Sequence, residues 1–243
     1  AANGLFSARL AQQGFTSRSD AIECAQGFAA TQAESFEARP VRPSSDQSFA
    51  VEENLFKYHA ACYLTHAGID ALKKLKEDHN LKVDQVERIE QFVPNTHFSV
   101  CNIAEPETGL EVKFSMRHTA AMTLADVDTG SLNSYSDDIA KRPDLIKLRD
   151  RVTIIDKPFN SRMQSEVVVH LKDKGAVHQF SDAGVPESNL DKQETKLIRK
   201  FNSLVTPIFG EETSQSILDK CLKLETLENV ADLFNDVTLS NVS

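Results

Sequence analysis

The chain has 243 residues, with 36 Asp and Glu against 27 Lys and Arg, a net charge of −9, 40% hydrophobic residues and no Trp. That length fits one large domain or two small ones and can bury a sizeable core. The acidic balance argues against a nucleic-acid surface, which needs an excess of Lys and Arg. No apolar run approaches the ~20 residues of a membrane span. The expected partners therefore include no nucleic acid and no membrane.

The first residues already read as helix interior. Leu5, Ala8 and Leu10 recur near helical spacing, Gly14 closes the segment, and Asn3 is a weak cap candidate. Ala1 is not Met and no basic stretch leads into an apolar core, so no signal peptide is expected; the chain reads as a piece of something longer. Ser19 or Asp20 is expected to open a short helix through Cys24, and residues 37–46, with two Pro and two Ser, read as a linker. From 51 to 186 helix and strand patterns alternate. An amphipathic helix is predicted over 62–76, with Ile69, Leu72 and Leu75 on its apolar face and Lys73, Lys74 and Lys76 on a solvated one. A strand follows over 86–93, then a helix over 115–125 capped by Ser115, with Met116, Ala120, Thr123 and Leu124 inward. The β-branched run 152–155 reads as a strand, and 166–180 as a hairpin whose turn uses Gly175. From 190 the chain is helical, with Leu197, Ile198, Phe201 and Leu204 on one stripe and breaks at Pro207 and Gly210. The pattern predicts an α+β protein: a helical domain from both chain ends (1–50 and 189–243) with an α/β domain (51–188) inserted.

The four Cys, at 24, 62, 101 and 221, form no CxxC and no zinc spacing. They read as buried or free thiols of a reducing compartment, which points to the cytoplasm. Cys24, Cys101 and Cys221 lack a basic neighbour and are expected to be inert, whereas Cys62 stands among basic residues. No phosphate-cradling, dinucleotide, zinc-protease or nucleophile-elbow motif occurs, so neither a metal nor a nucleotide cofactor held by a familiar loop is expected.

Two short basic clusters carry the candidate chemistry. The first runs from Lys57 to Asp70 and packs Lys57, His59, Cys62, Tyr63, Thr65 and His66 into one helix entry. A His bordering an apolar face is partly desolvated, which favours the neutral form that a general base needs. The competing reading of His66 is a buried histidine bonded to a backbone carbonyl. The second cluster is Lys113, Ser115, Arg117 and His118. Ser115 as cap puts His118 third in the helix, where free N–H groups and the macrodipole favour a carboxylate and disfavour imidazolium. Lys113 and Arg117 add positive charge for an anion. A solvated helix start that happens to be basic is the competing reading there.

Lys57, Cys62, Thr65-His66-Ala67, Ile69-Asp70 and the run 112–115, together with the N-terminal 10–17 and 27–28 segments, resemble the MmgE/PrpD family. Its activities include 2-methylcitrate dehydratase, cis-aconitate decarboxylase and iminodisuccinate epimerase. The resemblance implies a helical domain from both ends of the chain, an α/β lid between them, no cofactor, a small di- or tricarboxylate substrate and a homodimer. By position, Lys57 matches a lid lysine of the decarboxylase branch, Cys62 stands where that branch has His, and His118 where it has Tyr; these departures argue against the decarboxylase activity. The expected activity is a cofactor-independent lyase or isomerase beside a carboxylate, like 2-methylcitrate dehydratase or iminodisuccinate epimerase. His118 is the first choice for proton transfer, His66 the second, and Lys57 the charge stabiliser; Lys113, Arg117, Ser115 and Cys62 would bind substrate. The alternative is an incomplete, non-catalytic chain of this family that binds a carboxylate or a partner chain.

Overall fold

A computed structural model describes residues 2–36, 50–173, 175–235 and 237. The linker expected over 37–46 lies outside the described residues. The chain divides into two compact units, Ala1–Glu52 and Glu53–Ser243.

In the first unit, α1 (Ala2–Gln12) ends where Gly14 takes a left-handed φ of 85° and Phe15 N–H returns to the Leu10 carbonyl. The helix already includes Asn3, which therefore does not cap it. The expected helix over 19–24 is a series of turns instead. Arg18 holds both oxygens of Asp20 at 2.8 Å, which takes that carboxylate away from capping. The helix comes later, as α2 (Phe28–Gln32).

In the second unit a 3₁₀ turn (Tyr63–Thr65) leads into α3 (His66–His79), which closes on Asn80 in the left-handed region. Ile69, Leu72 and Leu75 are at most 1% exposed, and each buried side chain of this kind contributes about 1.5–3 kcal/mol. The rest of the unit runs β1 (Val86–Val93), α4 (Gly109–Val112), α5 (Met116–Leu124), α6 (Asp137–Ala140), α7 (Pro143–Arg149), β2 (Val152–Asp156), β3 (Gln164–Leu171), β4 (Gly175–Asp182) and α8 (Leu190–Cys221). The sheet order is β2-β1-β3-β4, with β1 parallel to β2 and the other pairs antiparallel. Alternation on β3 buries Ser165, Val167 and Val169 on one face. The fold is therefore α+β, a mixed four-stranded sheet with helices.

Helix α3 packs on β3, β4 and α5, while α5 packs on α7 and β2. Gly68 permits the approach of α3 to the sheet: a Cβ there would stand 2.1 Å from Gln91 Nε2 on β1. Lys76, expected on a solvated face, instead donates to the Thr123 and Leu124 carbonyls and pairs with Asp126, so it closes the C-terminus of α5. Helix α8 is interrupted at Gly210 (φ 78°, ψ 169°), three residues after Pro207. Among the described residues no helix is long and apolar enough to cross a membrane.

Candidate active site

The N-terminal half of α3 points one polar row away from its apolar stripe. His66, Asp70 and Lys73 follow at helical i, i+4 and i+7 spacing. They form a wall of a cavity of about 640 Å³ with residues 54–56, Tyr58, His59, Tyr63, Asp128, Gly130, residues 181–183 and 185–188, and Lys196, Arg199 and Lys200 of α8. That volume suits a small molecule. Helix α8 brings its three cations at i, i+3 and i+4 spacing, so they too share one helix face.

His66 is 2% exposed and sits between two rings: Tyr63 stacked at 4.6 Å and His59 edge-on at 4.9 Å. Its Nε2 is buried and has no hydrogen-bond partner. In a neutral imidazole one nitrogen carries the proton and the other a free lone pair. Burial, with the nearby His59 and Lys57, pushes its pKa down to about 3, although Asp70 and the Ala61 backbone oppose the shift. His66 is therefore neutral at physiological pH.

His59 is locked behind it. Thr129 donates its hydroxyl to Nδ1 at 2.8 Å, and Nε2–H donates to Asp70 Oδ1 at 3.0 Å. Burial lowers the His59 pKa against the pull of Asp70, which keeps this ring neutral too. For Asp70, desolvation is outweighed by the His59 hydrogen bond together with the Lys73 charge, so the carboxyl stays below its usual range.

The cations differ in their freedom. Lys196 pairs with Glu187 and lies over the Tyr58 ring, and Arg199 pairs with Asp128. Lys200 donates to the Gly130 carbonyl at 2.7 Å. Lys73 is half-buried and, among the described residues, makes neither a hydrogen bond nor an ion pair; burial lowers its pKa, partly countered by Asp70. Lys57 is exposed, and its charge acts on both His66 and Lys200. Among the described residues no group of three or more His, Cys, Asp or Glu could hold a metal ion.

A family profile described as the MmgE/PrpD C-terminal domain matches residues 59–224, more than half of the chain. The chain belongs to the MmgE/PrpD family. That membership carries a dehydratase- or lyase-type function at the family level. No curated protein matches the chain. The match spans α3, the whole sheet and α8, and so covers most of the cavity lining.

The structure divides the sequence-predicted residues of this MmgE/PrpD chain. His66 lines the cavity, with Lys57 close enough for its charge to act on His66 and Cys62. Cys62 and Lys113 are joined by a backbone bond of 2.9 Å, but neither lines the cavity; the Lys113 ammonium lies over the Tyr135 ring. Neither Lys57 nor His118, expected as charge stabiliser and proton carrier, is among the residues that line the cavity. Ser115 does cap α5 and His118 is its third residue, but the helix start faces the core, not a crevice. His118 is completely buried, its Nε2 bonds to the Ile139 carbonyl, and burial brings its pKa down to about 4. The Ser115 hydroxyl is used twice, donating to Ile103 and accepting from His118 N–H, and Arg117 is bound to Asn102.

The sequence reading did not select His59, Asp70, Lys73 and Lys200. The i, i+4, i+7 row His66–Asp70–Lys73 was a usable signal for part of this set. Lys73 and Lys74 are adjacent in sequence, but Lys74 is exposed and pairs with Asp78, and the two point in different directions around α3.

Proposed function

We infer that this chain is a cofactor-independent MmgE/PrpD lyase or isomerase acting beside a carboxylate of a small di- or tricarboxylic acid, of the 2-methylcitrate dehydratase or iminodisuccinate epimerase type. One observation carries the reading: the buried, unpartnered Nε2 of neutral His66 on the wall of the cavity that holds the unpaired Lys73. Breaking a bond next to a carboxylate builds negative charge on carbon and then on oxygen. Lys73 and Lys200, with Lys57 beside them, are the cations that would stabilise it. His66 Nε2 would take or return the proton. A bound polyanion also brings negative charge next to the ring, which raises its proton affinity and strengthens the base when substrate arrives. His59, held between Thr129 and Asp70, would keep the His66 ring in place. The division into an α/β lid over 51–188 and a helical domain from the flanks belongs to the same reading, supported by the confinement of every described strand to 86–182.

The test is proton exchange. The chain is incubated with candidate acids in D₂O and the C–H signals beside the carboxylates are followed by NMR. Exchange in the wild type and its loss in His66→Asn, with acid affinity within threefold, supports the assignment. Undiminished exchange in His66→Asn removes His66 from the chemistry. Binding with no exchange in either protein favours a carboxylate-binding chain without catalysis.

A further inference from the structure

The connection from β4 to α8, residues 183–189, runs along the cavity and carries one acid, Glu187. Its ends are fixed. The Tyr63 hydroxyl donates to the Ala183 carbonyl at 2.7 Å, Gly184 N–H donates to Asp182 Oδ1 at 2.8 Å, and the Asn189 side chain caps α8. Between these anchors Glu187 reaches onto the start of α8, where Lys192 and Lys196 share one face at i, i+4 spacing. A single carboxylate oxygen, Oε2, bridges both ammoniums, at 3.4 Å from Lys192 Nζ and 3.0 Å from Lys196 Nζ. All three side chains line the cavity. The Glu187 side chain is 19% exposed, while those of Lys192 and Lys196 are 63% and 40% exposed, so the two cations keep an open side.

We propose that Lys192 and Lys196 form a subsite for a substrate carboxylate remote from the reacting bond, and that Glu187 occupies it in the free chain until that carboxylate displaces it. The proposal rests on reading the cavity as a polycarboxylate site, and it adds where the far end of the acid is held. Carboxylate replaces carboxylate, so the two ammoniums keep a partner of the same chemistry through the exchange. Lys196 also lies over the Tyr58 ring, 5.0 Å from its centre, a contact that keeps it in position whichever acid it holds. Ion pairs this open to water are weak, so Glu187 competes for the subsite without blocking it. The charge balance requires such a movement. Six cationic and five acidic side chains line the cavity, so a dianion or trianion meets little net attraction while Glu187 stays in place. Moving that one carboxylate into water raises the net charge of the lining by one and frees two adjacent ammoniums. Lys73 and Lys200 then remain for the carboxylate beside the reacting carbon.

The test is isothermal titration calorimetry of the full chain with citrate as a trianionic probe. Glu187→Gln keeps the shape and removes the charge, and it should bind citrate about three- to fivefold more tightly than wild type. Glu187→Ala should gain as much. A Lys192→Met/Lys196→Met chain should bind citrate more weakly than wild type, and adding Glu187→Gln to it should bring no gain, because no ammonium is left to release. Glu77→Gln removes another acid of the lining, an exposed one on α3, and should change the affinity by less than about twofold. An equal gain in Glu77→Gln, or a gain that survives the loss of both lysines, would reduce Glu187 to a general field effect and overturn the proposal. Unchanged or weaker binding by both Glu187 variants overturns it as well. Absence of citrate binding in wild type and in both variants overturns the displacement and the polycarboxylate reading together. Tighter binding as expected, without proton exchange in D₂O, upholds the displacement and removes only the catalysis.

Discussion

Lowering the pH from 7.5 to 5 should destabilise the second unit through His66, by an amount that follows from its burial. Its folded pKa is about 3, against about 6.5 for an unfolded histidine. Above pH 6.5 the ring is neutral in both states and costs nothing. As the pH falls below 6.5 the unfolded chain takes up a proton that the folded chain refuses until about pH 3, so stability is present at high pH and is lost on acidification. The loss is about 1.4 kcal/mol per pH unit once below 6.5, which gives about 2 kcal/mol at pH 5. His118, at about 4, adds a similar amount, and buried His59 and His97 shift in the same direction. The assay is urea unfolding followed by far-ultraviolet circular dichroism at both pH values, for wild type and His66→Asn. Asn is a smaller polar side chain and removes the titrating nitrogen. The variant should lose about 2 kcal/mol less than wild type between the two pH values, whatever its stability at pH 7.5. Equal losses would mean that folded His66 ionises freely, and the closed, dry setting assigned to it would be wrong.

Lys73→Met should weaken binding of a small polycarboxylate about tenfold in isothermal titration calorimetry, which corresponds to about 1.4 kcal/mol. The same variant should raise stability by roughly 1 kcal/mol, because a half-buried unpaired ammonium becomes an apolar side chain of similar length; weaker binding together with lower stability would contradict a free cation poised for ligand. Gly68→Ala should cost about 1–3 kcal/mol in urea unfolding, because the added methyl must displace the buried Gln91 amide and lift α3 from the sheet. An unchanged midpoint would show that this approach is not tight.

The elements were legible where one periodicity ruled. The segment from Val86 and the β-branched run from Val152 gave strands whose bounds match closely, and Ser115 capped the helix as its hydroxyl chemistry required. Legibility failed where a side chain had two possible partners. Asp20 read as a cap until the fold gave it Arg18, and Lys76 read as solvated until it met the carbonyl end of α5. The site was half legible for a related reason. A basic helix entry marks anion affinity, but which face of that entry meets a hollow depends on packing. For α3 the His66–Asp70–Lys73 row turns into the cavity; for α5 the corresponding His118 turns into the core. The cations of α8 come from more than 115 residues beyond α3, a juxtaposition that no local pattern contains.

The most direct measurement is the ¹⁵N resonance of the His66 ring, assigned by comparison with His66→Asn, at pH 7 with and without a saturating polycarboxylate. Without ligand, one ring nitrogen should be fully unprotonated and the other protonated. On adding the acid, the unprotonated nitrogen should move strongly toward the protonated position. A ring that is already charged in the free protein, or a free nitrogen that ignores a bound acid, would contradict the placement of His66 as the proton-carrying group of this cavity.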